Sequence, residues 1–203
     1  MGLLLSILFV QPSLADRLWT TPAQVEGPYY PKVKPKEKDW NLLNTVHDNN
    51  TLAAGIPLQL EGKILDHNGL PIVGAMVEIW QSDNNGIYNH PKAPQTEQFD
   101  QNFQGFGAIK TNSEGYYRFL TIIPASEKKR PPHIHVKIFR EDREALTTQL
   151  YLKDHPENNR DGIMSLVLYP GQQKLLINPV NATLENGIKV RKARFDFIVA
   201  KNF

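Results

Sequence analysis

Two histidines separated by a single residue, His133 and His135, are the residues of this chain best suited to chemistry. Apolar and polar residues alternate through residues 136–140 after them, which predicts a β-strand whose inward face also carries apolar side chains. Side chains at positions i and i+2 of a strand point to the same face, so the two imidazoles can bind one metal ion. The pair by itself leaves two other interpretations open: core histidines hydrogen-bonded to the backbone, or a solvated strand face.

Composition limits both the kind of metal site and the kind of function. The chain has 203 residues, 40% hydrophobic and 22% charged, which suits one globular domain with a sizeable core. It contains no cysteine, which excludes disulfides, thiolate nucleophiles and cysteine-ligated metals and leaves nitrogen and oxygen ligands. The formal net charge is only +2 and the one dense basic run is residues 128–130, so we predict no nucleic-acid partner.

Short alternating segments between turn signals predict an all-β fold. The candidate strands are residues 57–66, 75–81, 108–111, 116–122, 133–140, 147–152, 164–169 and 192–199. We expect consecutive antiparallel strands, the first two joined by a turn at residues 67–69. Seven or more short strands without a long helical period predict an antiparallel β-sandwich over residues 56–203. Residues 16–55 are rich in Pro, Lys, Asn and Asp and predict an extended N-terminal arm around this core.

The first fifteen residues form an apolar segment that ends in a typical cleavage pattern. Ser13 and Ala15 are small residues at the positions that signal peptidase requires. We therefore interpret residues 1–15 as a signal peptide and expect a secreted or periplasmic protein. The alternatives are an apolar N-terminal strand or helix, or a misassigned start codon. The segment is too short for an ordinary transmembrane helix, so no membrane span is predicted.

Further motifs occur in order along the chain. They are Thr21-Pro22, Glu26-Gly27-Pro28-Tyr29-Tyr30, Trp80-Gln81-x-Asp83, Gly86-x-Tyr88-x-His90, Glu114-Gly115-Tyr116-Tyr117-x-Phe119, Arg130-x-Pro132-His133-Ile134-His135 and Thr148-Gln149-Leu150-Tyr151. Between about residues 20 and 155 this set resembles the intradiol ring-cleavage dioxygenases, the family of protocatechuate 3,4-dioxygenase and catechol 1,2-dioxygenase. The histidine motif is its most specific part.

The resemblance implies a β-sandwich enzyme with a non-haem Fe(3+) cofactor. Such an enzyme opens catechol-type rings between the two hydroxyls, using O₂ and giving a muconate-type dicarboxylate. The resemblance makes Tyr88, His133 and His135 metal ligands, and a phenolate with two neutral imidazoles suits ferric iron. Arg130 would stabilise negative charge on the ring, and Gln149 would position the substrate or a histidine ligand. The implied partners are a small catecholic substrate and O₂, and no oligomeric state is indicated.

The chain departs from this family in the loop before the histidine motif. The family has a second, axial tyrosine there, whereas residues 123–130 of this chain contain no tyrosine. Glu127 falls at that position in an ungapped comparison, and a small slip would place Ser126 or Lys128 there instead. A carboxylate is a hard oxygen donor, so Glu127 is a candidate fourth ligand and proton acceptor. In the alternative interpretation Glu127 belongs to a solvated charge cluster.

The sequence leaves several functions open. A modified but active dioxygenase, a three-ligand site with changed activity and a catalytically silent relative are all compatible with the missing tyrosine. Residues 60–80 also resemble transthyretin-like and carboxypeptidase-regulatory-like sandwiches, which would make the chain a secreted binding module. Two histidines with Glu127 would suit zinc as well as iron. The basic residues 128–130 favour a substrate with a carboxylate, such as protocatechuate.

Overall fold

The computed structural model of the chain describes residues 18–44, 51–94, 98–127, 130–184 and 187–200. Within these ranges the regular structure is almost entirely β. The strands are β1 (Pro57–Asp66), β2 (Met76–Trp80), β3 (Phe106–Lys110), β4 (Tyr116–Ile122), β5 (His133–Arg140), β6 (Arg143–Leu152), β7 (Leu176–Ile177), β8 (Val180–Thr183), β9 (Lys189–Arg194) and β10 (Phe197–Val199). Short 3₁₀ segments lie at Asn158–Arg160, Met164–Leu166 and Gly171–Leu175. The prediction of an all-β sandwich is confirmed, while the predicted signal peptide lies outside the described residues.

Each of the two sheets has five strands. In the first sheet β1 pairs antiparallel with β4 and parallel with β9 and β10, and β8 pairs antiparallel with β9. In the second sheet the order is β3-β2-β5-β6-β7, antiparallel except for the parallel pair of β6 and β7. Buried apolar residues of both sheets, among them Leu60, Phe119, Val77 and Val136, form one core between the layers. Both sheets are therefore mixed rather than purely antiparallel.

Three details of the predicted strands are corrected. The segments before and after the turn at residues 67–69 do not pair as a hairpin, because β1 belongs to the first sheet and β2 to the second. Residues 164–169 begin with a 3₁₀ segment instead of a strand. Met164 is buried against Tyr151 and Leu175 in a small separate cluster, whereas Leu168 is 86% exposed. The predicted strand 192–199 is broken at Phe195 and Asp196 into β9 and β10.

Strand β5, which carries both histidines, lies at the centre of the second sheet. Ile134, Val136 and Ile138 belong to the core between the sheets, so His133 and His135 face the opposite side of the sheet. The histidines thus point away from the apolar core, and yet each is only 2% exposed. Something other than the first sheet must cover this outer face.

The cover is the N-terminal arm. Residues 18–44 contain no regular strand or helix and are held by backbone hydrogen bonds to both sheets. The Gln24 N–H donates to the Thr147 carbonyl at 2.8 Å, and the Thr148 hydroxyl donates to the Pro22 carbonyl at 2.7 Å. Across the other sheet, the Leu42 N–H donates to the Leu120 carbonyl at 2.8 Å. Within the described ranges, no helix has the length and apolar character that crossing a bilayer requires.

The break between β9 and β10 depends on a close approach of two backbones at Gly62 of β1. A Cβ atom at this position would lie 1.8 Å from the Phe195 carbonyl oxygen. Only glycine allows the chain to leave β9 and rejoin β1 at this distance.

We therefore expect Gly62→Ala to lower the free energy of unfolding by about 2–3 kcal/mol, because the new methyl group overpacks a backbone contact. The matched control is Gly162→Ala, where a Cβ would meet no atom within 4 Å and the change should stay within about 0.5 kcal/mol. Urea denaturation of both variants measures the difference. Equal stability of the two would contradict the proposed role of Gly62.

Candidate metal centre

Three side chains that can bind a metal meet on the outer face of the second sheet. The Nε2 atoms of His133 and His135 lie 3.2 Å apart, and the Tyr88 hydroxyl lies 3.1 Å from Nε2 of His133. All three residues are at most 4% exposed. Among the described residues, no group of three or more His, Cys, Asp or Glu lies together in this way. The donor set that the fold assembles is thus two imidazoles and one phenol.

The orientation of His133 leaves one nitrogen free for a metal. Its Nδ1 lies 2.7 Å from the Pro131 carbonyl, which can only accept, so Nδ1 carries the proton and donates it. The lone pair of Nε2 therefore faces Tyr88, His135 and the Arg130 Nη1, which lies 3.0 Å away. The phenol oxygen of Tyr88 and the Nε2 atoms of both histidines therefore converge on one point, where together they could hold a metal ion.

His135 is held mainly by packing. Its ring stacks on Trp80 at a centroid distance of 4.6 Å and an interplanar angle of 10°. Gly27 of the arm lies close to the ring, since a Cβ atom at this position would stand 3.3 Å from Cε1. Nδ1 of His135 is buried and has no hydrogen-bond partner among the described residues. Stacking and the arm, rather than a hydrogen bond at Nδ1, fix this imidazole.

Burial keeps both imidazoles in the neutral form that binds metals. It lowers the pKa of His133 to about 4, with a further contribution from the Arg130 guanidinium and an opposing one from the Pro131 hydrogen bond. The pKa of His135 is also far below its usual range, first through burial and then through His133 and Arg130. Burial, and next the Glu127 carboxylate, raise the pKa of the Tyr88 phenol. A cation held by the phenol oxygen would have to displace this proton.

A tight loop after β2 brings Tyr88 to the histidines. The Asp83 carboxylate accepts from the N–H groups of Asn85 at 2.8 Å and Ile87 at 3.0 Å, which closes the loop. Gly86 has φ of +81°, and a Cβ there would lie 2.5 Å from the Ser126 carbonyl oxygen. The predicted sharp turn at Gly86 is therefore present, and it also lets this loop touch the one that carries Glu127.

Arg130 lies beside the histidines within a network of hydrogen bonds. Its Nε and Nη2 donate to the Asp161 carboxylate at 3.0 and 2.9 Å, and Nη2 also donates to Gln149 at 2.7 Å and to Tyr151 at 3.2 Å. The Gln149 amide nitrogen donates to the Val25 carbonyl of the arm at 3.0 Å. This amide therefore joins Arg130 to the arm, and the described contacts include no hydrogen bond from it to a histidine. Only Nη1 of Arg130 faces the donor atoms.

Glu127 lies beside Tyr88. With Tyr88 it lines a cavity of about 200 Å³, and its carbonyl accepts from the Arg130 N–H at 2.8 Å. Ser126, the neighbouring candidate for the axial position, is exposed and donates to Glu157 at 2.9 Å. Lys128, the other candidate, lies outside the described residues. Of the two described candidates, only Glu127 has an electrostatic effect on Tyr88.

Two further residues of this region, Lys137 and Asp161, were not predicted from the sequence. Lys137 follows His135 on the same face of β5 and forms ion pairs with Glu26 of the arm and, at 3.2 Å, with Glu144. The two-residue period of a strand placed Lys137 beside the histidines, so a signal for it existed. Asp161 had no such signal, because it lies 31 residues from Arg130 in a segment without periodicity.

The chain is similar to known proteins over most of its length. Residues 25–201 match a family model described as dioxygenase. The chain is 36% identical over 124 residues to the beta chain of protocatechuate 3,4-dioxygenase from Burkholderia cepacia, covering 54% of this chain and 53% of that one. It is 29% identical over 195 residues to catechol 1,2-dioxygenase from Acinetobacter baylyi, covering 87% and 59%. The chain thus spans little more than half the length of these two relatives.

A solved structure extends the comparison to the whole fold. The dioxygenase domain of a dioxygenase carbohydrate-binding protein fusion from Streptomyces sp. SirexAA-E superposes with a TM-score of 0.68 at 29% identity, covering 89% of this chain and 98% of that one. A β-sandwich that buries two histidines and a tyrosine on one sheet face fits the same class. The chain belongs to the intradiol ring-cleavage dioxygenase family, and the resemblance found in the sequence is confirmed.

The arm over His135 is tied down by the Lys137 ion pairs, which makes Lys137 a test of its role as a cover. We expect Lys137→Met to lower the free energy of unfolding by about 1 kcal/mol, because both ion pairs are lost. The loss stays this small because the half-exposed partners Glu26 and Glu144 recover hydration. Metal loss to a chelator should be about fivefold faster, since the arm must open first. The control is Lys110→Met at an exposed position of β3. Equal release rates for the two variants would contradict this role of the arm.

Proposed function

We propose that this protein is a ferric dioxygenase that cleaves catechol-type rings between their two hydroxyls. The observation that carries the proposal is the convergence of Tyr88, His133 and His135 within 3.2 Å in a buried site. A metal-free binding module would give no reason to bury three such donors together. Family membership supports the same reaction class.

The donor set favours ferric iron over the alternatives. A phenolate is a hard anionic ligand that stabilises a trivalent cation, and neutral imidazoles complete the set. Zinc sites are usually built from histidine, cysteine and carboxylate, and the third donor that meets the histidines here is a phenol. The chemistry supplied by a bound ferric ion is Lewis-acid activation of a chelated catechol towards O₂.

The overall reaction balances without a further reductant. The carbon–carbon bond between the two hydroxylated carbons breaks, and both atoms of O₂ enter the product. Catechol and O₂ together have the composition of cis,cis-muconic acid. The protein must bind the ring, take up the hydroxyl protons and keep water from the reacting atoms.

Individual residues supply these functions. Arg130 is oriented by Asp161 and Gln149 so that Nη1 faces the site, where a fixed cation stabilises negative charge as it builds on the ring. The arm excludes water, since Tyr29 stacks on Tyr88 at 4.4 Å and Gly27 lies against His135. Glu127 at the cavity wall is the proposed proton acceptor and a candidate fourth ligand, in place of the axial tyrosine of the family.

Oxygen uptake tests the reaction directly. Iron-reconstituted protein with catechol should consume one O₂ per catechol and release a muconate-type product, identified by mass spectrometry. Substrate loss without O₂ uptake, or no turnover by iron-loaded protein, would overturn the proposal in favour of an altered or silent relative. Zinc-loaded protein is the control and should be inactive.

The role of Glu127 is tested by two opposite substitutions. We expect Glu127→Gln to lower kcat about 10²-fold, because the amide cannot accept a proton. Glu127→Tyr restores the donor found in the family and should retain more activity than Glu127→Gln. Unchanged turnover of Glu127→Gln would remove Glu127 from the mechanism.

We also propose, from residues 1–15 of the sequence, that the protein is exported. N-terminal sequencing of the mature protein tests this. Asp16 as the first residue is the expected result, and an intact leader would contradict it.

A further inference from the structure

Two residues of β6 hold the Arg130 side chain beside the metal-binding histidines. In the pairing of β5 and β6, Gln149 lies opposite His135 and Tyr151 lies opposite His133. Residues directly opposite each other in a sheet point to the same face. The Gln149 Oε1 and the Tyr151 hydroxyl accept hydrogen bonds from Nη2 of Arg130 at 2.7 and 3.2 Å, and both side chains are fully buried. The direction of the guanidinium therefore depends on how firmly these two side chains are fixed.

A residue of the N-terminal arm, Gln24, forms hydrogen bonds with both of them. Its side-chain oxygen accepts from the backbone N–H of Gln149 at 3.1 Å, and its amide nitrogen donates to the Tyr151 hydroxyl at 3.1 Å. The Tyr151 hydroxyl in turn donates to Oε1 of Gln149, also at 3.1 Å. A single amide of the arm thus connects the two side chains that accept from Arg130.

The same amide reaches the turn that supplies the carboxylate partner of Arg130. The Gln24 amide nitrogen donates to the Ile163 carbonyl at the longer distance of 3.5 Å. Oδ1 of Asp161 closes this turn by accepting from the N–H groups of Ile163 at 2.6 Å and Met164 at 2.9 Å, while Oδ2 accepts from Arg130. The two supports of Arg130, β6 and the turn at Asp161, therefore meet at Gln24.

We propose that Gln24 is a positioning residue for the proposed ring cleavage, which directs the Arg130 guanidinium at the site while the arm is docked on β6. This inference rests on the proposed function. In the described part of the chain, the hydrogen bonds of the Gln24 side chain reach none of the three metal-binding side chains, so its effect passes through Arg130. The arm then has two roles: it covers the histidines, and it orients the cation that stabilises negative charge on the ring.

Steady-state kinetics of Gln24→Met with catechol test the effect on the reaction. Methionine keeps the length of the side chain and removes its hydrogen bonds. We expect kcat to fall about tenfold, because a misdirected guanidinium stabilises the reacting ring less. KM should stay within about threefold, since the stabilisation is lost mainly in the transition state. The iron content and the phenolate-to-iron band should not change.

The matched control is Thr21→Val, which removes the same kind of contact elsewhere on the arm. The Thr21 hydroxyl accepts from the Ile198 N–H at 2.9 Å, so it also joins the arm to a strand, but to β10 of the first sheet. This variant should leave kcat within about twofold of the parent value. A second variant, Gln24→Glu, keeps an acceptor for the buried Gln149 N–H and lacks the amide donor to Tyr151. It should lose activity like Gln24→Met and serves in its place if Gln24→Met does not fold.

A measurement without iron shows whether Gln24 fixes Arg130. Hydrogen exchange of the Arg130 side-chain N–H groups can be followed by NMR in the metal-free protein. We expect these groups to exchange at least about fivefold faster in Gln24→Met than in the parent protein, because their hydrogen-bonded network opens more often. The rates should be unchanged in Thr21→Val.

A double variant tests whether the effect passes through Arg130. In an Arg130→Met background, Gln24→Met should change kcat by less than about twofold, because the group that it positions is gone. A further tenfold loss in this background would show that Gln24 acts by another route and would overturn the inference.

The outcomes separate this inference from the proposed function. Unchanged exchange of the Arg130 N–H groups in Gln24→Met would overturn the inference, whether or not the protein cleaves catechol. Faster exchange with an unchanged kcat would overturn the role of Gln24 in the reaction. Absence of turnover by the iron-loaded parent protein would overturn the proposed function, while the exchange rates would still decide whether Gln24 holds Arg130.

Discussion

The site requires two neutral imidazoles to be buried on the outer face of a sheet, with their lone pairs directed at one point. An imidazole in water gains a proton near neutral pH, and a metal cannot bind through a protonated nitrogen. Burial removes that competition, but the outer face of a sheet is the one that normally meets solvent. The arm and the loop of Tyr88 cover this face.

The cover is built from polar as well as apolar contacts. Tyr29 stacks on Tyr88, while Glu26 pairs with Lys137 on the strand of the histidines. Buried charges are costly unless they are paired, so each charge brought under the arm comes with a partner of opposite sign. Arg130 follows the same rule, because Asp161 and Gln149 use most of its donors and leave one aimed at the site. Electrostatic pairing thus fixes the orientation of the Arg130 side chain and directs only its Nη1 at the site.

Local patterns in the sequence predicted which residues share a face but not which strands are neighbours. The two-residue period placed His133 and His135 on one side of β5, and Gly86 marked the turn that delivers Tyr88. The same alternation in β1 and β2 gave no information on pairing, and the two strands belong to different sheets. The pairing of Arg130 with Asp161 joins segments far apart in sequence and depends on the tertiary fold. Such long-range contacts have no local pattern from which to be predicted.

The metal content and visible spectrum of the purified protein, recorded before and after adding catechol, test whether Tyr88 and the two histidines hold iron. We expect stoichiometric iron and a phenolate-to-iron absorption band that shifts when catechol chelates. The band should be absent in Tyr88→Phe and present in Tyr29→Phe, which removes the phenol that stacks on Tyr88. A colourless zinc protein, or a band that survives in Tyr88→Phe, would contradict the assignment of Tyr88 to the metal.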